Sequence, residues 1–411
     1  MLKKIDVKQL RVGMFIHELD SSWIDTPFWQ KSFMVADSAT LSAVLKTNIR
    51  NATIDTDKGL DVLAELAPSA APEAKTPALV VRTPVRKPET VSMHDELGRA
   101  AIIVNKSRDA VFSMFSEARM GRAVDVKDAM PLVEEITASV FRNQDALIGL
   151  ARLKSKDDYT YMHSVAVCAL MVALAKQLNL SDQETRDAGL AGLLHDIGKM
   201  AISANILSKP GKLTDAEFMS VKGHPEAGYK ILLEGKGVSE AALDVCLHHH
   251  EKMDGTGYPH GLAGDQISLL ARMGAVCDVY DAITSDRPYK QGWCPADSLR
   301  KMAEWSKNKH FDEKVFQAFV KSIGIYPSGT LVRMESGRLG VVVEQQVGKS
   351  LLLPKVRVFF SSKSQTYITP LLLDLAGAGL QDKIVAREDV AKWGFKDITR
   401  FWLGEAAALV H

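Results

Sequence analysis

Seven side chains in the middle of this chain could hold metal: His163, His195, Asp196, His224, His249, His250 and Asp278. Neutral imidazole offers one nitrogen lone pair, whereas an aspartate offers two oxygens and can join neighbouring cations. Five imidazoles and two carboxylates are too many donors for one tetrahedral zinc, and they suit two cations sharing a carboxylate. A thiolate-free, imidazole-rich set fits iron, manganese, zinc or nickel, and not calcium or a structural zinc–cysteine site. Any one of these histidines alone would pass for a hydrogen-bonded core residue, and His17, His94, His248, His260 and His310 keep that reading. The ordered set does not. His195-Asp196 closes the apolar run Leu190-Ala191-Gly192-Leu193-Leu194, where an unpartnered carboxylate is costly and metal is the simplest partner.

The elements that must position these groups follow from their separation. Each group lies about one helix and a connection from the next, so each sits on a different helix or helix end, and a bundle can aim them at one point. Ser181-Asp182-Gln183-Glu184 is a capping box that opens the helix carrying His195 and Asp196, and Thr214-Asp215-Ala216-Glu217 is a second one upstream of His224. The expected fold is mainly α: a helical bundle over 151–326, preceded by connecting helices over 94–150. Pro131 fits the first turn of a new helix there, after a break near Gly121–Asp128. A small α+β unit over 1–66 holds strands at Met14–Ile16, Ser32–Val35 and Ala52–Asp55 and a helix from Ser38 to Leu45. Pro68, Pro72, Pro77, Pro84 and Pro88 mark a Pro/Ala-rich linker over 67–93. The region 327–411 reads as β-rich, with strands at Leu331–Met334, Leu339–Val343 and Val356–Phe360.

The 411 residues suggest two or three domains. With 51 basic and 50 acidic residues the net charge is +1, which argues against DNA or RNA and against a polybasic membrane anchor. It leaves room for a compact anionic ligand. Cys168, Cys246, Cys277 and Cys294 show no CxxC spacing and read as reduced, mostly buried thiols. The N-terminus lacks the apolar core of a signal peptide, and no apolar run approaches the roughly 18–20 residues of a spanning helix, so the expected location is the cytoplasm.

His163-Ser164, His195-Asp196-Ile197-Gly198-Lys199, His224-Pro225, His249-His250-Glu251, Gly257-Tyr258-Pro259, Asp278-Val279-Tyr280-Asp281-Ala282 and Arg287-Pro288-Tyr289 together resemble the HD-GYP subgroup of the HD phosphohydrolase superfamily. The resemblance covers 155–325. Residues 1–66 are similar to the domain of unknown function often found ahead of HD-GYP domains, on Gly13-Met14 and the stretch Trp23 to Phe28.

The resemblance implies a bacterial phosphodiesterase that opens cyclic di-GMP to linear pGpG and, in many members, continues to GMP. It implies two divalent transition-metal ions, iron or manganese, held by the seven groups above. Members with a third metal have a glutamate four residues before the first ligand histidine. Tyr159 stands there in this chain, which favours two. Asp196 is then the bridging, catalytic carboxylate. Lys199, one helical turn beyond His195, is expected on a nonbridging phosphate oxygen. Tyr258 would contact the ligand at the lip of the site, and Arg287 and Lys290 would meet phosphate or guanine. Asp281 and Glu251 would orient imidazoles or a guanine edge. Two other readings stay open: an HD phosphohydrolase for another nucleotide, and a non-catalytic cyclic di-GMP sensor or protein-interaction module. A homodimer is open as well.

Overall fold

The computed structural model describes residues 2–19, 32–45, 51–60, 89–154, 158–209, 211–286, 292–346, 348–377 and 382–409. The Pro-rich stretch 67–88, the Trp23 to Phe28 mark, Arg287, Pro288, Tyr289 and Lys290 lie outside the described residues. The chain divides into two compact units, 1–85 and 86–411.

In the first unit β1 (Leu2–Asp6), β2 (Phe15–Leu19), β3 (Phe33–Met34) and β4 (Asn51–Asp55) form an antiparallel sheet in the order β1-β4-β2-β3, with α1 (Ser38–Leu45) between β3 and β4. Ile5, Met14, Ile16, Val35, Val44 and Ile54 bury their side chains in its core. Gly13 has φ +94°, and a Cβ there would stand 2.7 Å from Leu60 Cδ1, so glycine is required where this turn closes.

The second unit is built on helices α2 (Met93–Arg119), α3 (Val126–Ala151), α4 (Tyr159–Gln177), α5 (Asp182–Leu194), α6 (Ala204–Leu207), α7 (Asp215–Lys222), α8 (His224–Leu233), α9 (Glu240–His248), α10 (Leu269–Thr284), α11 (Pro295–Lys307) and α12 (Glu313–Ile323). Both capping boxes form: Ser181 with Glu184 opens α5, and Thr214 with Glu217 opens α7. Pro131 does not start a helix. The Asp125 side chain accepts from the Lys127 amide, so α3 begins at Val126 and carries Pro131 inside it. Helix α3 also kinks at Asn143, where φ −159° and ψ 104° leave the helical region.

Helix α4 is buried without a break from Met162 to Ala175. An all-round apolar helix is what the centre of a bundle requires. The expectation that no apolar stretch reaches membrane-span length therefore needs amending: Tyr159–Gln177 is long and apolar enough by composition, but 78% of its apolar window is buried inside the unit. Helices α2, α3, α5, α10 and α12 pack around it.

The chain then forms β5 (Leu331–Met334), β6 (Arg338–Glu344), β7 (Lys355–Ser361), β8 (Thr366–Asp374) and β9 (Ile384–Arg387), an antiparallel sheet in the order β8-β7-β6-β5-β9. The strands expected around 331, 339 and 356 are present; β8 and β9 were not foreseen. Pro370 interrupts the β pattern of β8, and β8 lies at the sheet edge, where proline is tolerated. The sheet docks on the kink in α3. Glu344 Oε2 accepts from the Met93 amide at 2.7 Å and from Asn143 Nδ2 at 3.1 Å. Asp145 accepts from Ser328 Oγ at 2.6 Å and from the Gln345 amide at 2.9 Å.

Candidate metal centre

The structure brings the seven predicted donors together from five elements and their ends. His163 lies in the first turns of α4. His195 caps α5, and Asp196 and Lys199 follow in a tight turn at 196–201. His224 opens α8, His249 caps α9 with His250 beyond it, and Asp278 and Asp281 sit on α10. Gly198 permits this convergence: a Cβ there would lie 1.9 Å from the His224 carbonyl oxygen. Any side chain would push the turn bearing His195 and Asp196 away from α8.

Besides His195–Asp196–His249, two groups of three donors form among the described residues, His163–His195–Asp278 and His224–His249–His250. Asp196 stands between them. Its Oδ2 lies 3.3 Å from His163 Nε2 and 3.4 Å from His195 Nε2. Its Oδ1 lies 3.2 Å from His224 Nε2 and 3.9 Å from His249 Nε2. One carboxylate oxygen thus faces each group.

The hydrogen bonds fix which ring nitrogens carry protons. His195 Nδ1 is 2.8 Å from the Gly192 carbonyl, His224 Nδ1 is 2.7 Å from the Val221 carbonyl, and His249 Nδ1 is 3.0 Å from the Val245 carbonyl. A carbonyl only accepts, so each Nδ1 donates, and in the neutral ring that binds metal each Nε2 turns a lone pair inward. His224 Nε2 and His249 Nε2 face each other at 3.3 Å. His195 Nε2 and Asp196 Oδ1 are buried without a hydrogen-bond partner among the described residues. Lone pairs converging on lone pairs in a dry site are costly unless a cation lies among them. The donor set therefore fits divalent metal.

Charge states agree. Burial opposes ionisation of Asp196, but the Lys199 ammonium and the hydrogen bond to His163 help hold the carboxyl well below the usual range. Burial likewise opposes ionisation of Asp278, and the hydrogen bond and charge of His163 help hold it well below. Burial keeps His249 neutral and pushes His250 down to about 3, although Asp278 works against this at His250. His163 is the exception: burial lowers it, yet hydrogen bonds to Asp196, Asp278 and Asp281 raise it to about 10. A cation at Nε2 would displace that proton.

Around the donors, Lys199 Nζ contacts Asp196 Oδ2 while its side chain stays 22% exposed. Asp281 accepts from His163 Nδ1 at 2.6 Å, as an orienting group should. Glu251 departs from expectation. Its carboxylate accepts from the His260 amide at 2.7 Å and the Leu262 amide at 3.1 Å, and no imidazole hydrogen bond to it is found among the described residues. It thereby fixes the loop that carries Tyr258, whose ring stacks on His250 with centroids 4.7 Å apart. Gly257 lets that loop fold back, since a Cβ there would be 2.4 Å from Glu251 Cα.

Sequence reasoning missed Lys154. Its ammonium is fully buried, contacts Asp281 Oδ2 and donates to Ser285 Oγ at 2.8 Å. Burial opposes charge on Asp281, and Lys154 and His163 together more than offset it, holding the carboxyl below its usual range. Cys168, Cys246 and Cys277 are free and buried, and burial raises each thiol above its ordinary value.

The HD domain family matches residues 140–315, and a domain of unknown function, DUF3391, matches 2–129. A relative in Pseudomonas aeruginosa, the cyclic di-GMP phosphodiesterase PA4108, is 55% identical over 407 residues, covering 99% of this chain and 97% of that protein. The response regulator RpfG of Xanthomonas campestris, a cyclic di-GMP phosphodiesterase, is 37% identical over 47% of this chain and 52% of its own length. The 3′3′-cGAMP-specific phosphodiesterase 3 of Vibrio cholerae is 38% identical over 42% of this chain and 37% of its own length. Similarity to PA4108 runs through both units and the whole donor region, and this chain belongs to the HD-domain family of cyclic di-GMP phosphodiesterases.

Proposed function

We propose that this chain hydrolyses cyclic di-GMP to linear pGpG, and onward to GMP, at a centre of two divalent cations, iron or manganese, in the cytoplasm. The observation that carries this reading is the position of Asp196, with one oxygen toward His163 and His195 and the other toward His224 and His249. His163, His195 and Asp278 would hold one cation, His224, His249 and His250 the other, and Asp196 both. Bound there, such cations supply Lewis acidity toward a phosphoryl oxygen and a lowered pKa for water.

The protein's own groups do the rest. Asp281 keeps the His163 ring turned so that Nε2 faces the donors. Lys199, anchored on Asp196 and partly exposed, offers its remaining N–H groups to a nonbridging phosphate oxygen and offsets charge that grows there. Tyr258, stacked on His250, forms one wall of the opening. Glu251 holds that wall in place through two backbone amides. Arg287 and Lys290 keep the role the family resemblance gives them, contact with phosphate or guanine.

Anaerobic turnover tests the reading. Metal-depleted protein reloaded with Fe2+ or Mn2+ should convert cyclic di-GMP to pGpG and then GMP, resolved by chromatography, faster than it converts 3′3′-cGAMP. Full loading with either metal and no turnover would contradict the catalytic reading; preference for 3′3′-cGAMP would contradict the substrate.

A further inference from the structure

Helix α7 runs straight into the centre: it ends at Lys222, and after Gly223 the next residue is His224. It buries none of its residues. Phe218 is 49% and Met219 64% exposed. An isolated exposed apolar residue means little, but Phe218 is not isolated. Lys222 Nζ lies 5.3 Å from the Phe218 ring centroid and 5.1 Å from that of Tyr258. Tyr258 in turn stacks on His250 at 4.7 Å with 28° between planes. A continuous series, His250–Tyr258–Lys222–Phe218, therefore leads from the donor set outward.

The Lys222 ammonium makes no ion pair and no hydrogen bond among the described residues, so it meets ring faces and retains its donors. Cation–π contact holds it there without using an N–H group.

We propose that Phe218 and Lys222, with Tyr258, form the subsite for a guanine base of the cyclic dinucleotide. This rests on the phosphodiesterase reading above. With a phosphate at the donor set, a base attached through its ribose extends outward along this series. The exposed Phe218 ring supplies a stacking surface, which any base can use. Lys222 supplies the discrimination. Guanine presents two neighbouring acceptors, O6 and N7, whereas adenine places an amino donor beside N7. An ammonium satisfies the first edge and repels the amino group of the second.

The test uses the full chain, metal-loaded, with cyclic di-GMP and cyclic di-AMP, the latter as substrate or competitive inhibitor. Phe218→Ala should raise KM or Ki for both nucleotides about tenfold, with kcat, metal content and thermal midpoint held, and Phe218→Trp should restore affinity. Lys222→Met should weaken cyclic di-GMP about tenfold and cyclic di-AMP much less, and Lys222→Arg should keep the guanine preference. Unchanged KM in both variants, a loss confined to kcat or to metal content, or a Phe218→Trp variant as impaired as Phe218→Ala would overturn the subsite. If the loaded wild type cleaves no cyclic dinucleotide, the phosphodiesterase reading itself fails. If the wild type is active and the variants match it, only the subsite fails.

Discussion

Asp281 Oδ2 lies 2.6 Å from His163 Nδ1, and the same oxygen contacts the buried Lys154 ammonium. A chain of three side chains thus runs from the interior of the unit to His163, a proposed metal donor. Partners of this kind typically change metal affinity or activity by about 10–100-fold when removed. Asp281→Asn should lower metal occupancy and turnover by that order. Lys154→Met leaves the Asp281 carboxylate buried without its main counter-charge, so it should be at least as damaging. The pair should be non-additive: Lys154→Met with Asp281→Asn should cost no more than about the worse single change. Metal analysis and turnover on the four proteins check this, and strictly additive losses would disprove the coupling.

Gly198 and Gly98 should respond in opposite directions to the same added methyl. A Cβ at Gly198 would be 1.9 Å from the His224 carbonyl oxygen, whereas at Gly98, within α2, nothing lies within 4 Å. Gly198→Ala should destabilise by about 3 kcal/mol or more and lower metal content, because backbone must move. Gly98→Ala should stabilise by about 0.5–1 kcal/mol through helix propensity. Thermal unfolding of the two variants distinguishes them, and equal midpoints would contradict the close approach at Gly198.

The junction between α3 and the C-terminal sheet should be sensitive to pH. Burial pushes the Asp145 carboxyl up to about 6, against the hydrogen bonds from Ser328 and Gln345 that lower it. Its folded value lies above the unfolded one of 3.8. The folded state therefore holds the proton more tightly, and the contribution of Asp145 to stability is greatest below pH 3.8 and lost as pH rises through about 6. That loss is on the order of 3 kcal/mol. Asp145→Asn removes the dependence, so the variant should gain on the wild type between pH 4 and pH 7.5 in denaturation experiments. A difference that does not change with pH would refute this.

The convergence of the candidate donors was legible because their chemistry is dense: five histidines and two aspartates at helix-sized intervals leave few other partners for buried charge. The helix starts at Ser181 and Thr214 were legible for a similar reason, since a capping box is a local pattern and both form. What failed was mostly what no motif marks. Lys154 has no periodic or motif signature, and its partner lies 127 residues away on α10. Glu251 adjoins His250 in sequence, yet its carboxylate turns to the amides of His260 and Leu262. Pro131 follows the rule for helix starts, but the Asp125 cap places the start five residues earlier, at Val126. Strand β8 was hidden by Pro370, which only an edge position accommodates.

The proposed function stands on one carboxylate, Asp196, joining two cation sites. Metal analysis and calorimetric titration with Mn2+, alongside cyclic di-GMP turnover, test it most directly on the wild type, His250→Ala and Asp196→Ala. Two cations should bind per wild-type chain, one site should be lost in His250→Ala, and in Asp196→Ala both sites should weaken together with turnover reduced by at least about a thousandfold, of the order expected when a group central to catalysis is removed. An Asp196→Ala protein that is folded, retains two cations at wild-type affinity and still cleaves cyclic di-GMP would contradict it.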